Sequence, residues 1–106
     1  MDEELRRELQ ATISEYRASL APRIAALEAL RGELASGKGF PARIAELHRA
    51  LHSIAGSGRT FGLPRVTEAA RAAEAFVELR CAGSPPDAAA WEQLKTLLQE
   101  LARTAP

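Results

Sequence analysis

The chain has 106 residues, enough for one domain around one core and too few for two. Fourteen Lys and Arg offset fourteen Asp and Glu, so the strong basic excess of a nucleic-acid binder is missing, and the single cysteine, Cys81, excludes an intramolecular disulfide. No apolar run approaches membrane-spanning length, and the charged start MDEELRREL is unlike a signal peptide; the expectation is a cytoplasmic protein with no membrane association. Alanine, leucine, glutamate and arginine dominate and no alternating apolar pattern occurs, which favours helices throughout. The first segment runs from about Asp2 to Leu20, with Leu5, Leu9, Ile13, Tyr16 and Leu20 recurring at three- and four-residue steps. Pro22 either interrupts it or opens a new helix that Ile24, Leu27, Leu30 and Leu34 carry to about Ala35. After the loop SGKG, a third segment starts near Pro41, is marked by Ile44, Leu47, Leu51 and Ile54, and ends between Gly58 and Gly62. Pro64 opens a fourth, with Val66, Ala69, Ala70, Ala73, Phe76 and Val77 inward. The break CAGSPPD follows, with Asp87 or Ser84 available to cap a last helix carrying Trp91, Leu94, Leu97 or Leu98, and Leu101. The pattern predicts an all-α protein: residues 1–106 form one antiparallel four-helix bundle with an additional N-terminal helix or helical extension. The N-terminal end and the last residues, TAP, are expected to be flexible.

A bundle hosts many activities, so function must be read from a site. The only two histidines, His48 and His52, stand one turn apart on the third segment and share a face. On a helical projection His48 lies roughly 80° and His52 roughly 120° from the centre of the core stripe, and Gly56 roughly 160°. Gly58 falls back near the core centre. The two glycines of HSIAGSG therefore have different roles. Gly58 permits close approach of a neighbouring element, whereas Gly56, with the small Ala55 beside it, clears the surface next to an exposed imidazole. Neutral imidazole is a good nucleophile near neutral pH. No acid or base stands close to it in sequence, and no Gly-rich phosphate loop marks a nucleotide site. A nucleophile without its own pocket points to a partner that completes the active site.

The stretch LHRALHSIAGSGRTFGLPRVTEAARAAE, residues 47 to 74, resembles the histidine phosphotransfer (HPt) domain of two-component phosphorelays. The matching positions are His52, Gly56 and Gly62, with Thr60 and Phe61 before the last glycine and an alanine-rich helix ending in Glu74. EYRASLAPRIAALEAL, residues 15 to 30, is similar to the family's helix leading into the bundle. The resemblance implies a phosphoryl carrier, not an autonomous enzyme. His52 would accept a phosphoryl group from a receiver-domain phospho-aspartate, or from a kinase, and pass it to the aspartate of a response regulator. It implies that Mg²⁺ comes from the partner receiver and that this chain needs no cofactor of its own. The partners implied are the receiver domain of a response regulator and a hybrid histidine kinase. Arg49, Ala55, Gly56 and Arg59 are the expected docking residues, and the chain is expected to be a monomer. Ala55 stands where the family usually has a lysine; Arg59, one turn further on, is the candidate to replace that cation.

Two other readings bear on the same residues. A degenerate module of this kind would bind a receiver or kinase without being phosphorylated, and the Ala55 replacement is what favours it. A histidine-kinase dimerisation domain usually has an acidic residue after its histidine and a proline soon after; here Ser53 follows His52 and Gly56 occupies the next turn. The histidine pair is also spaced to share a metal, but the sequence shows no further ligand beside it, so no metal site is expected.

Overall fold

The computed structural model describes residues 2–106. Four helices follow one another: α1 (Glu3–Ala35), α2 (Ile44–Gly58), α3 (Pro64–Arg80) and α4 (Ala88–Thr104). α2 packs on α1 and α3, and α4 packs on α3 and α1, so α1 and α3 sit diagonally across the bundle. The connections are short, as an up-down-up-down arrangement requires.

α1 is one continuous helix of 33 residues, with Pro22 inside it. An interior proline loses a backbone hydrogen bond and costs about 3 kcal/mol. Here Leu20 and Ile24, on either side of it, are both core residues, and the buried stripe continues through Leu27, Leu30 and Leu34. Burial of five large side chains at about 1.5–3 kcal/mol each outweighs the break. Residue 22 itself faces solvent. The N-terminal segment is thus an extension of α1 and not a separate helix. Asp2 caps it by accepting from the Leu5 amide at 2.7 Å.

The same extension leaves much of the first apolar stripe in solvent. Residues 2–15 are all exposed; Leu5 and Leu9 are 45% exposed and Ile13 37%. A helix of this length spans about 50 Å, and the molecule measures 54 × 21 × 20 Å, so the first half of α1 runs past the ends of its shorter neighbours. Periodicity shows which side of a helix is apolar, not whether another element reaches it.

The core is filled by Leu20 to Leu34 of α1, Leu47, Leu51, Ile54 and Ala55 of α2, Val66, Ala70, Ala73 and Val77 of α3, and Trp91, Leu94, Leu98 and Leu101 of α4. Cys81 is buried beside them, while Phe76, Ala69 and Leu97 are half-buried at its edge. Asp87 caps α4 through the Ala90 amide at 2.8 Å. At the C-terminal end, the helix α4 persists to Thr104, so only Ala105 and Pro106 lie beyond it.

The α2–α3 junction positions the histidine face. The Leu63 amide donates to the Gly58 carbonyl at 2.8 Å, and the Gly62 amide to the Arg59 carbonyl at 3.0 Å. This pair of bonds is a Schellman closure, which needs a left-handed residue at its C′ position, and Gly62 supplies it with φ +80°. Closure at Gly62 keeps the chain helical through Arg59 (φ −63°, ψ −40°). Gly58 then meets α3 directly. A Cβ on it would lie 2.6 Å from Thr67 Oγ1 and 3.1 Å from the Thr67 amide nitrogen, so the absence of a side chain sets how closely α2 and α3 approach.

Candidate functional site

α2 and α3 run antiparallel, so a position advanced by one turn on α2 meets a position set back by one turn on α3. His48 and His52 are spaced by four on α2; Glu74 and Glu78 are spaced by four on α3. The register brings His52 to Glu74, with Nδ1 2.5 Å from Oε2, and His48 to Glu78, with Nε2 2.8 Å from Oε1. Glu74 Oε2 also lies 3.6 Å from His48 Nε2. The two imidazoles stack with centroids 6.3 Å apart and planes 13° from parallel.

The two rings are held by opposite nitrogens, and this separates their chemistry. A carboxylate only accepts, so the bond to Glu74 places the His52 proton on Nδ1 and leaves the Nε2 lone pair free. The His52 side chain is 74% exposed. In His48 the bonded nitrogen is Nε2, and the side chain is only 34% exposed. Glu74, 13% exposed, orients the His52 ring and also lies near His48, whose ring Glu78 holds.

α1 closes the other flank of α2. The Tyr16 hydroxyl lies 2.7 Å from Ser57 Oγ, its ring stacks on Phe61 at 4.1 Å, and Arg23 donates to Ser53 Oγ at 3.3 Å. The Arg23 guanidinium also stands over the Tyr16 ring at 6.0 Å. Together these contacts fix the last two turns of α2, so the surface around His52 is presented on a rigid helix. One turn beyond His52, Gly56 is exposed, and a Cβ there would meet nothing within 4 Å.

A family model described as the Hpt domain matches residues 3–104. The chain belongs to the Hpt domain family. Comparisons with curated proteins and with solved structures give no match. The resemblance read from residues 47 to 74 therefore extends to the whole bundle, and the Hpt family works by histidine phosphotransfer in phosphorelays.

Within this Hpt domain, His52, Arg49, Gly56 and Arg59 all lie on the exposed part of α2 and its C-terminal end. Ala55 does not. It is 3% exposed and belongs to the core, so its placement in an open docking patch is corrected. The reason is geometric. Residue 55 stands one turn after Leu51 and just before Gly58, on the flank that α3 covers, and the small Ala70 and Ala73 let α3 come close. The position where the family usually carries lysine is here filled by a core alanine.

Glu74 and Glu78 are the site residues that sequence reasoning missed, together with Arg23, Tyr16 and Ser57. Glu74 was visible only as the end of the alanine-rich helix. The usable signal was the matching four-residue spacing of the two pairs about the α2–α3 turn. Reading it needs the antiparallel register, which the closure at Gly62 sets. The contacts from α1 leave no such signal, since they join residues far apart in sequence.

Proposed function

We propose that this Hpt domain carries a phosphoryl group on His52 Nε2, taken from the phospho-aspartate of a receiver domain and passed to the aspartate of a response regulator. The observation that carries the reading is the exposed imidazole with Nδ1 held by Glu74 and Nε2 free. The Nε2 lone pair attacks phosphorus. The bond from phosphorus to the aspartyl oxygen breaks, and the aspartate leaves with that electron pair as a carboxylate. The ring gains an N–P bond, keeps its proton on Nδ1 and becomes cationic, with the Glu74 carboxylate facing that charge. The reverse displacement delivers the group to the next aspartate. Phosphoryl transfer depends mainly on positioning and on neutralising spread negative charge; the receiver supplies Mg²⁺ for the latter. Among the described residues no helix is long and apolar enough to cross a membrane. The proposed carrier is a monomer that meets its protein partner through the exposed face of α2.

Arg59 is the proposed cation on the Hpt side. Its helical backbone continues α2, which places it about 20° in azimuth from His52. It is exposed and, among the described residues, makes no ion pair. Arg59→Ala is expected to slow transfer, and an unchanged rate removes this role.

The test of the whole reading is incubation with a phosphorylated receiver, followed by assay for acid-labile, base-stable phosphate on the domain. Wild type and His48→Gln are expected to gain it and His52→Gln to lose it. Stable receiver binding with no phosphate gain would instead identify a degenerate docking module, the reading that Ala55 favours.

A further inference from the structure

We infer that His48, Glu74 and Glu78 form a three-ligand site for a transition-metal dication of the Zn²⁺ class, and that the site adjoins His52 through the shared carboxylate of Glu74. Sequence alone offers only the histidine pair. The fold adds two carboxylates from α3, and the ligand atoms of His48, Glu74 and Glu78 all lie within 4.8 Å of one another. Zn–N and Zn–O bonds of about 2.0–2.2 Å place neighbouring ligand atoms of a tetrahedral ion roughly 3.3–3.6 Å apart. His48 Nε2 stands 3.6 Å from Glu74 Oε2 and 2.8 Å from Glu78 Oε1, so an ion needs an opening of the second contact and an approach of the two carboxylates, which lie within 4.8 Å of each other, to the same spacing.

Hydrogen bonds from His52 to Glu74 and from His48 to Glu78 account for one contact of each carboxylate, but not for the approach of Glu74 to His48. A neutral ring has one proton on Nε2, and Glu78 takes it; Glu74 Oε2 at 3.6 Å is then beyond hydrogen-bond range of that nitrogen. Yet Glu74 is 13% exposed, and among the described residues neither it nor Glu78 pairs with Lys or Arg. Two carboxylates and one imidazole nitrogen converging without a cation are the donor set of a three-ligand zinc site with one position open to water. On binding, the ion replaces the Nε2 proton, which moves to His48 Nδ1, and the mixed N/O donor set favours Zn²⁺ over Mg²⁺. The four-residue spacing on each of two packed helices holds the donors on rigid elements.

The site is distinct from the phosphoacceptor nitrogen, and its occupancy can be read without any phosphotransfer assay. Zn²⁺ is titrated into the intact domain at neutral pH against a chromophoric chelator, with histidine ring resonances followed by NMR. Wild type is expected to take up one ion and to shift both rings, His48 by ligation and His52 through Glu74. Glu78→Gln and His48→Gln, both at surface positions, are each expected to weaken uptake at least ~10-fold, with helicity by circular dichroism unchanged. His52→Gln removes only a hydrogen-bond partner of Glu74 and no ligand, so it is expected to weaken uptake less than His48→Gln does. Equal uptake by wild type, Glu78→Gln and His48→Gln overturns the assignment, as does no saturable uptake by wild type. A loss in His52→Gln as large as in His48→Gln also overturns it, in favour of the bare histidine pair.

Discussion

Gly56 offers the sharpest separation of stability from function. A glycine inside a helix costs roughly 0.5–1 kcal/mol relative to alanine, and a Cβ at this position would touch nothing within 4 Å, so no packing requirement offsets that cost. Gly56→Ala is therefore expected to stabilise the domain by about 0.5–1 kcal/mol, raising the melting temperature by roughly 2–8 °C for a domain of this size. Leucine is nearly as good a helix former as alanine, so Gly56→Leu is expected to be about equally stable. Its side chain, however, projects from the exposed face one turn from His52, where under the proposed function a receiver has to come close for its aspartyl phosphate to reach Nε2. Displacement of the reacting atoms by about 1 Å can cost on the order of 100-fold in rate. Thermal melts and receiver-to-Hpt transfer rates across glycine, alanine and leucine should then move in opposite directions, transfer falling at least ~10-fold at leucine. Phosphoramidate, a small donor that needs no docking, should phosphorylate all three at similar rates. A leucine variant that takes phosphate from the receiver as fast as wild type refutes the role assigned to the gap. A variant slowed with both donors would mean that the ring itself had been disturbed.

Three further outcomes follow from the packing. Gly58→Ala, unlike Gly56→Ala, is expected to destabilise by about 1–2 kcal/mol net, because overpacking against Thr67 and the Leu63 carbonyl exceeds the gain in helix propensity; denaturant midpoints for the two variants should shift in opposite senses. Thr67 is fully buried and its hydroxyl lacks a hydrogen-bond partner among the described residues, so Thr67→Val, which keeps the shape and removes the polar atom, is expected to be neutral or stabilising by up to about 1 kcal/mol in chemical denaturation. Burial pushes the Cys81 thiol above its ordinary 9.0, with Arg80 pulling weakly the other way. A folded pKa above the unfolded one favours the native state's proton. The contribution is intact below the ordinary thiol range and is lost as pH rises through and above it. The stability of wild type relative to Cys81→Ala should thus be constant near neutral pH and decline in alkaline denaturation series. An aromatic disulfide reagent at neutral pH should also label native Cys81 on the order of 10-fold more slowly than the unfolded chain.

The fold was largely legible because helical periodicity, proline and capping residues act locally. Asp87 caps α4 and Pro64 opens α3 where their chemistry places them. Local rules failed where tertiary contact decided the outcome. Pro22 lies within a helix because the core stripe passes on both sides of it. Leu5, Leu9 and Ile13 form an equally regular stripe that no helix of the described residues covers. Ala55 shows the same limit at the site. Its azimuth lies between the core stripe and the histidine face, so only the closeness of α3 determines which side claims it, and that closeness comes from Gly58, Ala70 and Ala73.

The site was legible to the extent that one helix carried it. His52 and Gly56 could be read on α2 alone, from angle and absence of side chain. What makes His52 chemically different from His48 comes from α3. The same antiparallel register that aims Glu74 at Nδ1 of one ring aims Glu78 at Nε2 of the other, so two identical side chains one turn apart present opposite nitrogens. Reversing that difference tests whether it is causal. In Glu74→Gln the amide can donate as well as accept, so the His52 proton is no longer confined to Nδ1 and a fraction of rings carry it on Nε2. Phosphorylation by phosphoramidate should slow in proportion to the share of rings lacking a free Nε2, which NMR of the ring nitrogens measures directly. If the proton moves and the rate does not, Glu74 holds the ring in place without selecting its nucleophilic atom.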